Sequence, residues 1–167
     1  MSDNFFDKYS HICDSYKTAY MNFILYDKRI KHLKNWIYAS DIIVTLTSCS
    51  AVAAWGFFKA PGGASIWSFI LGIGTILSIL KTSLKWSEQL EKCAKQRAGY
   101  SNLYFDLKII FDHSKIKKNV LEEDWNIYLK SSEKFKELAI SDEQFSDKEI
   151  AAAQKVVNKR LANLACE

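Results

Sequence analysis

Two uncharged runs separated by a Pro-Gly-Gly turn constrain this chain more than any other feature. Residues 42–58 (IIVTLTSCSAVAAWGFF) and 60–80 (APGGASIWSFILGIGTILSIL) contain no Asp, Glu, Lys or Arg. With Trp36 and Tyr38 extending the first run, each approaches the ~20 residues that cross ~30 Å of hydrocarbon as a helix. Pro61 lacks the N–H that would continue a helix, and Gly62 and Gly63 permit a reversal. The pattern predicts a transmembrane hairpin over residues 36–86, with helices at about 37–58 and 64–84. A hairpin buried inside a soluble helical protein is the competing reading.

The flanks favour the bilayer. Trp and Tyr settle at membrane–water interfaces; Trp36, Tyr38 and Trp86 mark one interface, Trp55 and Trp67 the other. Lys28, Arg29, Lys31 and Lys34 precede the hairpin and Lys81, Lys85, Lys92, Lys95 and Arg97 follow it, while the turn carries Lys59 alone. By the positive-inside rule both termini are expected in the cytoplasm. The net charge of +4 is modest and sits beside the membrane, where anionic lipid accounts for it without nucleic acid. Mean hydropathy is only −0.13 because apolar helices are averaged with charged flanks. The start, Met1-Ser2-Asp3-Asn4, is polar, so the first apolar helix is expected to act as its own insertion signal. Cys13, Cys49, Cys93 and Cys166 form no C-x-x-C pair and are expected to be free thiols.

Outside the hairpin the chain reads as all-α, a set of cytosolic helices forming a bundle into which the membrane helices continue. Phe5, Tyr9, Ile12, Tyr16, Ala19, Phe23, Tyr26, Ile30, Leu33 and Ile37 recur at alternating steps of four and three, a seam with no Gly or Pro to interrupt it. This predicts an N-terminal amphipathic helix over residues 1–35 that runs into the membrane. Residues 87–167 form the second cytosolic region. Trp86, Leu90, Cys93, Arg97, Tyr100, Tyr104, Leu107 and Phe111 repeat the rhythm, with Arg97 as the one charge. If the two seams zip together, residue 37 lies near 84 and Arg97 falls near Ile24, one turn from Asp27. An ion pair between them is one reading; an Arg that snorkels past its own stem is the other. Asp112-His113-Ser114 with Lys115, Lys117 and Lys118 then reads as a connection. A further helix follows with Leu121, Trp125, Tyr128, Ser132, Phe135 and Leu138 on one face, its first turn acidic as the helix dipole favours. Ser146 and Glu149 fit a capping box opening a last helix that buries Ile150, Ala153, Val157, Leu161 and Leu164.

Signals for chemistry are nearly absent. His11, His32 and His113 have no partner at ligand spacing, and Glu122, Glu123 and Asp124 read as a helix start. Gly72-Ile73-Gly74 follows no strand and no Lys-Ser/Thr succeeds it, so it is not a phosphate loop. No catalytic residue, cofactor or metal ligand is assigned, and the chain is not expected to be an enzyme. The informative polar residues are in the hairpin. Ser65, Ser68, Gly72, Thr75, Ser78 and Thr82 follow helical spacing on the second helix; Asp41, Thr45 and Ser48 do so on the first. Such stripes either pack the two helices together or face neighbouring subunits or water in an oligomer. Asp41 either caps the interface or, in an oligomeric pore, forms an acidic ring at its mouth.

The layout resembles the SLATT family: a cytosolic helix, a two-helix membrane hairpin with a tight turn, and a long amphipathic helix with Tyr100-x-x-x-Tyr104. The resemblance covers roughly residues 5–140 and rests on layout more than on a diagnostic motif. It implies a two-transmembrane effector of prokaryotic anti-phage systems, in the bacterial inner membrane. Such an effector would be held inactive until a sensor or regulator partner detects infection, then oligomerise as a homo-oligomer and permeabilise the membrane. The alternative is a membrane-anchored scaffold whose cytosolic bundle recruits a soluble partner.

Overall fold

The computed structural model describes residues 3–48, 63–141 and 144–165, and the described residues form helices without a strand. These are α1 (Asp3–Ser48), α2 (Gly63–Ser83), α3 (Trp86–Lys117), α4 (Glu122–Ile140) and α5 (Asp147–Ala165). By contacts the chain divides into two units, Met1–Arg29 with Cys93–Glu167 and, separately, Ile30–Lys92. These boundaries fall somewhat outside those drawn from hydropathy at 35/36 and 86/87.

α1 is one uninterrupted helix of 46 residues, as the absence of Gly and Pro requires. Its 3-4 seam faces inward: Ile12, Tyr16, Ala19, Tyr26, Ile30 and Leu33 are buried and Phe5, Tyr9, Phe23 and Ile37 half-buried.

In the first unit, the N-terminal part of α1 and the C-terminal part of α3 lie antiparallel through a column of rings. Tyr9 stacks on Phe111 at 5.5 Å, Tyr16 on Phe111 and Tyr104 at 5.3 and 5.2 Å, and Tyr26 on Tyr100 at 5.9 Å. Offset aromatic pairs at these spacings contribute about 0.5–1.5 kcal/mol each beyond the area they bury. α4 covers one side of this pair. Tyr128 meets Ser15 at 3.3 Å between hydroxyls, Phe135 sets its edge on Tyr100, and Gly99 lets the Leu138 side chain close on α3. α5 completes a four-helix bundle, with Ala153 and Val157 buried and Arg160 reaching Tyr20.

α3 buries more than its expected seam. Cys93, Tyr100, Tyr104 and Leu107 are buried as the spacing predicts, and so are Gln96, Leu103, Ile110 and Ser114 on the adjoining stripe. A helix held between two neighbours must bury a wider face than one zipped to a single partner. The same fact corrects the connection expected at Asp112-His113-Ser114. Ser114 is fully buried, the helix continues to Lys117, and the stop comes where Lys118 takes the left-handed conformation at φ 49°. The α5 capping box is present: Glu149 Oε2 accepts from Ser146 N at 2.9 Å, and Ser146 Oγ accepts from Glu149 N at 3.4 Å. Ile150, expected in the core, is exposed because it lies in the first turn, ahead of the Ala153/Val157 face; the Leu164 side chain is outside the described residues.

In the second unit, α2 lies antiparallel to the C-terminal part of α1, with Lys81 paired to Asp41 and Gly74 against Thr47. α2 ends at Ser83, and Lys85, at φ 47°, separates it from α3. Among the described residues no single helix is long and apolar enough to cross a membrane. Residues 68–83 and 86–117 pass that test only as a pair bent by 48°.

Candidate functional site: polar positions of the apolar helices

α2 is apolar around nearly its whole circumference, so its sequence carries no strong preference for which side meets α1. Close approach decides it. Gly74 is the buried residue among the described ones of α2, and a Cβ placed there would stand 2.7 Å from both Thr47 Cγ2 and Oγ1. Ile70, Leu77 and Lys81, at three- and four-residue steps from Gly74, are half-buried on the same face. The facing residues of α1 are Ser40, Val44 and Thr47.

This places the predicted polar stripe elsewhere. On α2, Ser68, Gly72, Thr75, Ser78 and Thr82 are exposed, and a Cβ at Gly72 would meet nothing within 4 Å. Thr75 and Ser78 border a groove beside Gly74 and Thr47 without entering the helix contact. On α1, Asp41 and Thr45 are exposed, one position away from the buried Ser40 and half-buried Val44. The stripe therefore does not pack α1 on α2. The side chains of Ser48 and Ser65 lie outside the described residues.

Four of the described hydroxyls bond to their own helices. Thr75 Oγ1 donates to the Leu71 carbonyl at 3.0 Å, Thr82 to Ser78 at 3.1 Å, Thr47 to Val44 at 2.9 Å, and Ser40 to Ile37 at 2.8 Å. A hydroxyl satisfied in this way can face an apolar medium without an orphaned donor.

Asp41 is not a lone acid. Lys81, one helix over, donates to its Oδ1, so a ring of Asp41 carboxylates would carry an equal ring of ammonium groups. Nearby, Trp36 is 52% exposed and donates its indole N–H to His32 Nε2 at 2.9 Å, Tyr38 is 70% exposed, and Trp86 is half-buried. Trp55 and the Trp67 side chain lie outside the described residues.

In the bundle, Arg97 Nε donates to Asp27 Oδ1 at 2.8 Å, and the guanidinium lies over the Phe23 ring at 4.9 Å. The pair is partly screened, with side chains 42% and 27% exposed, so its coupling should be about 1 kcal/mol. A double-mutant cycle on Arg97→Met and Asp27→Asn should return that coupling in the melting of the bundle. Zero coupling would reduce the contact to packing of the Arg stem. Cys13 and Cys93 are free thiols; Cys49 and Cys166 lie outside the described residues.

Sequence reasoning passed over Ser40, Thr47, Gly74 and Lys81. For the first two the signal was present: the α1 seam, carried three further steps beyond Ile37, lands on Ser40, Val44 and Thr47. No family model, curated protein or solved structure matches the chain.

Proposed function

We propose that residues 36–86 form a transmembrane hairpin. On this reading the protein is a membrane effector of the SLATT type, which oligomerises through that hairpin and depolarises the bacterial inner membrane when a sensor partner signals. One observation carries the reading: α2 turns outward the side chains that water tolerates least. Ile66, Phe69, Ile73, Ile76 and Ile79 are between 37% and 71% exposed, and Ile42 and Leu46 of α1 add to them. Contiguous apolar surface of this kind is suited to lipid or to another protein. The first span draws in residues 49–58, which are outside the described residues.

The exposed stripe supports assembly. Ser68 and Gly72 are spaced as small-xxx-small, the pattern by which membrane helices approach closely, and no contact within the protomer occupies Gly72. Opening on this reading is a change between protomers, with the stripe turning from a neighbouring helix to a water-filled lumen.

The test is membrane potential in cells after induced expression, comparing the unmodified protein with Ser68→Leu/Thr75→Leu at equal membrane levels. Depolarisation is expected from the unmodified protein and should be lost in the double variant. If neither depolarises, even with a sensor partner and phage present, a membrane-anchored scaffold becomes the better reading. In that case an unrelated hairpin should substitute for residues 36–86 without loss of function.

A further inference from the structure

The bundle carries a cleft of about 360 Å³ whose chemistry the hairpin reading does not use. It is formed where α1, α3 and α5 meet, and its walls include Tyr20, Tyr104, Phe105, Lys108 and Arg160. A volume of this order suits a small organic ligand.

Arg160 is the centre of it. Its Nη1 donates to Tyr20 Oη at 2.8 Å, and the guanidinium lies 4.8 Å from the Tyr20 ring centroid and 5.9 Å from that of Tyr104. These contacts hold the fork in place without neutralising it, since no carboxylate pairs with Arg160 among the described residues. Lys108, by contrast, is answered by Asp112 at 2.8 Å. The cleft thus keeps one uncompensated, pre-positioned guanidinium.

Tyr104 backs the cleft with its ring. The residue is 5% exposed, and its buried hydroxyl has no hydrogen-bond partner among the described residues. Burial is the first cause raising the Tyr16 pKa above its ordinary value and the neighbouring Tyr104 hydroxyl the next, so this hydroxyl is turned into the core toward Tyr16. The outer wall is apolar, with Phe105 57% and Ile109 58% exposed.

We propose that this cleft binds a phosphate monoester carried on an apolar body. The guanidinium fork takes the phosphate oxygens, and the apolar body lies along Phe105 and Ile109. A planar fork matches two phosphate oxygens where an ammonium would match one, and the apolar wall excludes a bare inorganic ion as the preferred occupant. The site belongs to the bundle and stands whether or not the hairpin conducts. A lipid phosphate headgroup and a soluble aromatic phosphate share this chemistry.

The experiment is calorimetric titration of the full-length protein in neutral detergent with phenyl phosphate, dihexanoyl phosphatidate and inorganic phosphate. At least one ester should bind ~10-fold more tightly than inorganic phosphate, and Arg160→Gln should weaken that binding ~10-fold or more. Arg160→Lys should fall between, and Lys155→Gln, an exposed cation of α5 outside the cleft, should change nothing. Phe105→Ser, at an exposed position, should weaken the ester and leave inorganic phosphate unaffected. Preference for the phosphatidate identifies a lipid as the source, and preference for phenyl phosphate a soluble ligand. Equal affinity for all three probes, no ester binding, unchanged binding in Arg160→Gln, or an equal loss in Lys155→Gln would each overturn the proposal.

Discussion

Leucine at Gly74 should separate α2 from α1, while leucine at Gly72, two residues away, should not. A Cβ at Gly74 already stands 2.7 Å from Thr47, whose side chain is short, β-branched and tied to the Val44 carbonyl, so it cannot swing aside cheaply. Alanine alone should cost about 1–3 kcal/mol by overpacking, and leucine should cost more. At Gly72 a Cβ meets nothing within 4 Å, so Gly72→Ala should be neutral or stabilise the helix by up to ~1 kcal/mol. Thermal loss of helical signal from the purified protein in detergent measures both. The pair also separates two levels of structure. Gly74→Leu acts within one protomer, and Gly72→Leu should lower only the oligomeric fraction and the depolarisation that depends on it. Equal melting losses at both positions would place the helix contact on the wrong face.

Removing Lys81 should reveal what medium surrounds Asp41. Their side chains are 36% and 50% exposed from the protein, so the surroundings decide what the ion pair contributes. In water an exposed pair contributes ~0–1 kcal/mol, and Lys81→Met would be almost silent. In a low-dielectric layer the same change strands a carboxylate at a cost of about 3–5 kcal/mol. Under the proposed hairpin, Lys81→Met should cut the membrane-inserted fraction at least ~10-fold, by the rule that ~1.4 kcal/mol is tenfold. Asp41→Asn/Lys81→Met should recover most of it. A silent Lys81→Met would place this end of the hairpin in headgroup water, and failure of the double variant to recover would mean that the Lys stem, rather than the charge, matters.

How far the sequence could be read depended on how one-sided each helix is. α1 has polar residues between its apolar steps, so its seam from Phe5 to Ile37 pointed to the buried face, and that face is the one buried. Arg97 lies on the α3 seam and Asp27 beside Tyr26 of the α1 seam, and antiparallel zipping from a turn near residue 61 was enough to bring them together. The capping box was equally local, needing only Ser146 and Glu149.

α2 failed the same reading for a physical reason. With isoleucine and leucine on every side, its small and hydroxylated residues could be read as a packing face or as an outward one, and the contact runs through Gly74 and Thr47 while Gly72 stays open. α3 was half legible. Its stripe toward α1 was visible, but Gln96, Leu103, Ile110 and Ser114 are buried too, and Gln96 reaches the Leu138 carbonyl of α4, which arrives from later in the chain. The cleft around Arg160 was not legible at all. Its cation comes from α5, its rings from α1 and α3, and no spacing along the chain links them.

Local physics, then, was determined by the sequence alone: helix as the only regular structure, long helices where Gly and Pro are absent, caps where Ser and Glu stand three apart, and inward faces wherever polar residues mark the outward one. Tertiary structure decided which of two adjacent stripes is buried, which acid meets which base between α1 and α2, and which cation meets no carboxylate among the described residues. Those outcomes depend on distances between segments far apart in the chain, and close approach at a single glycine is enough to select among faces that hydropathy cannot tell apart.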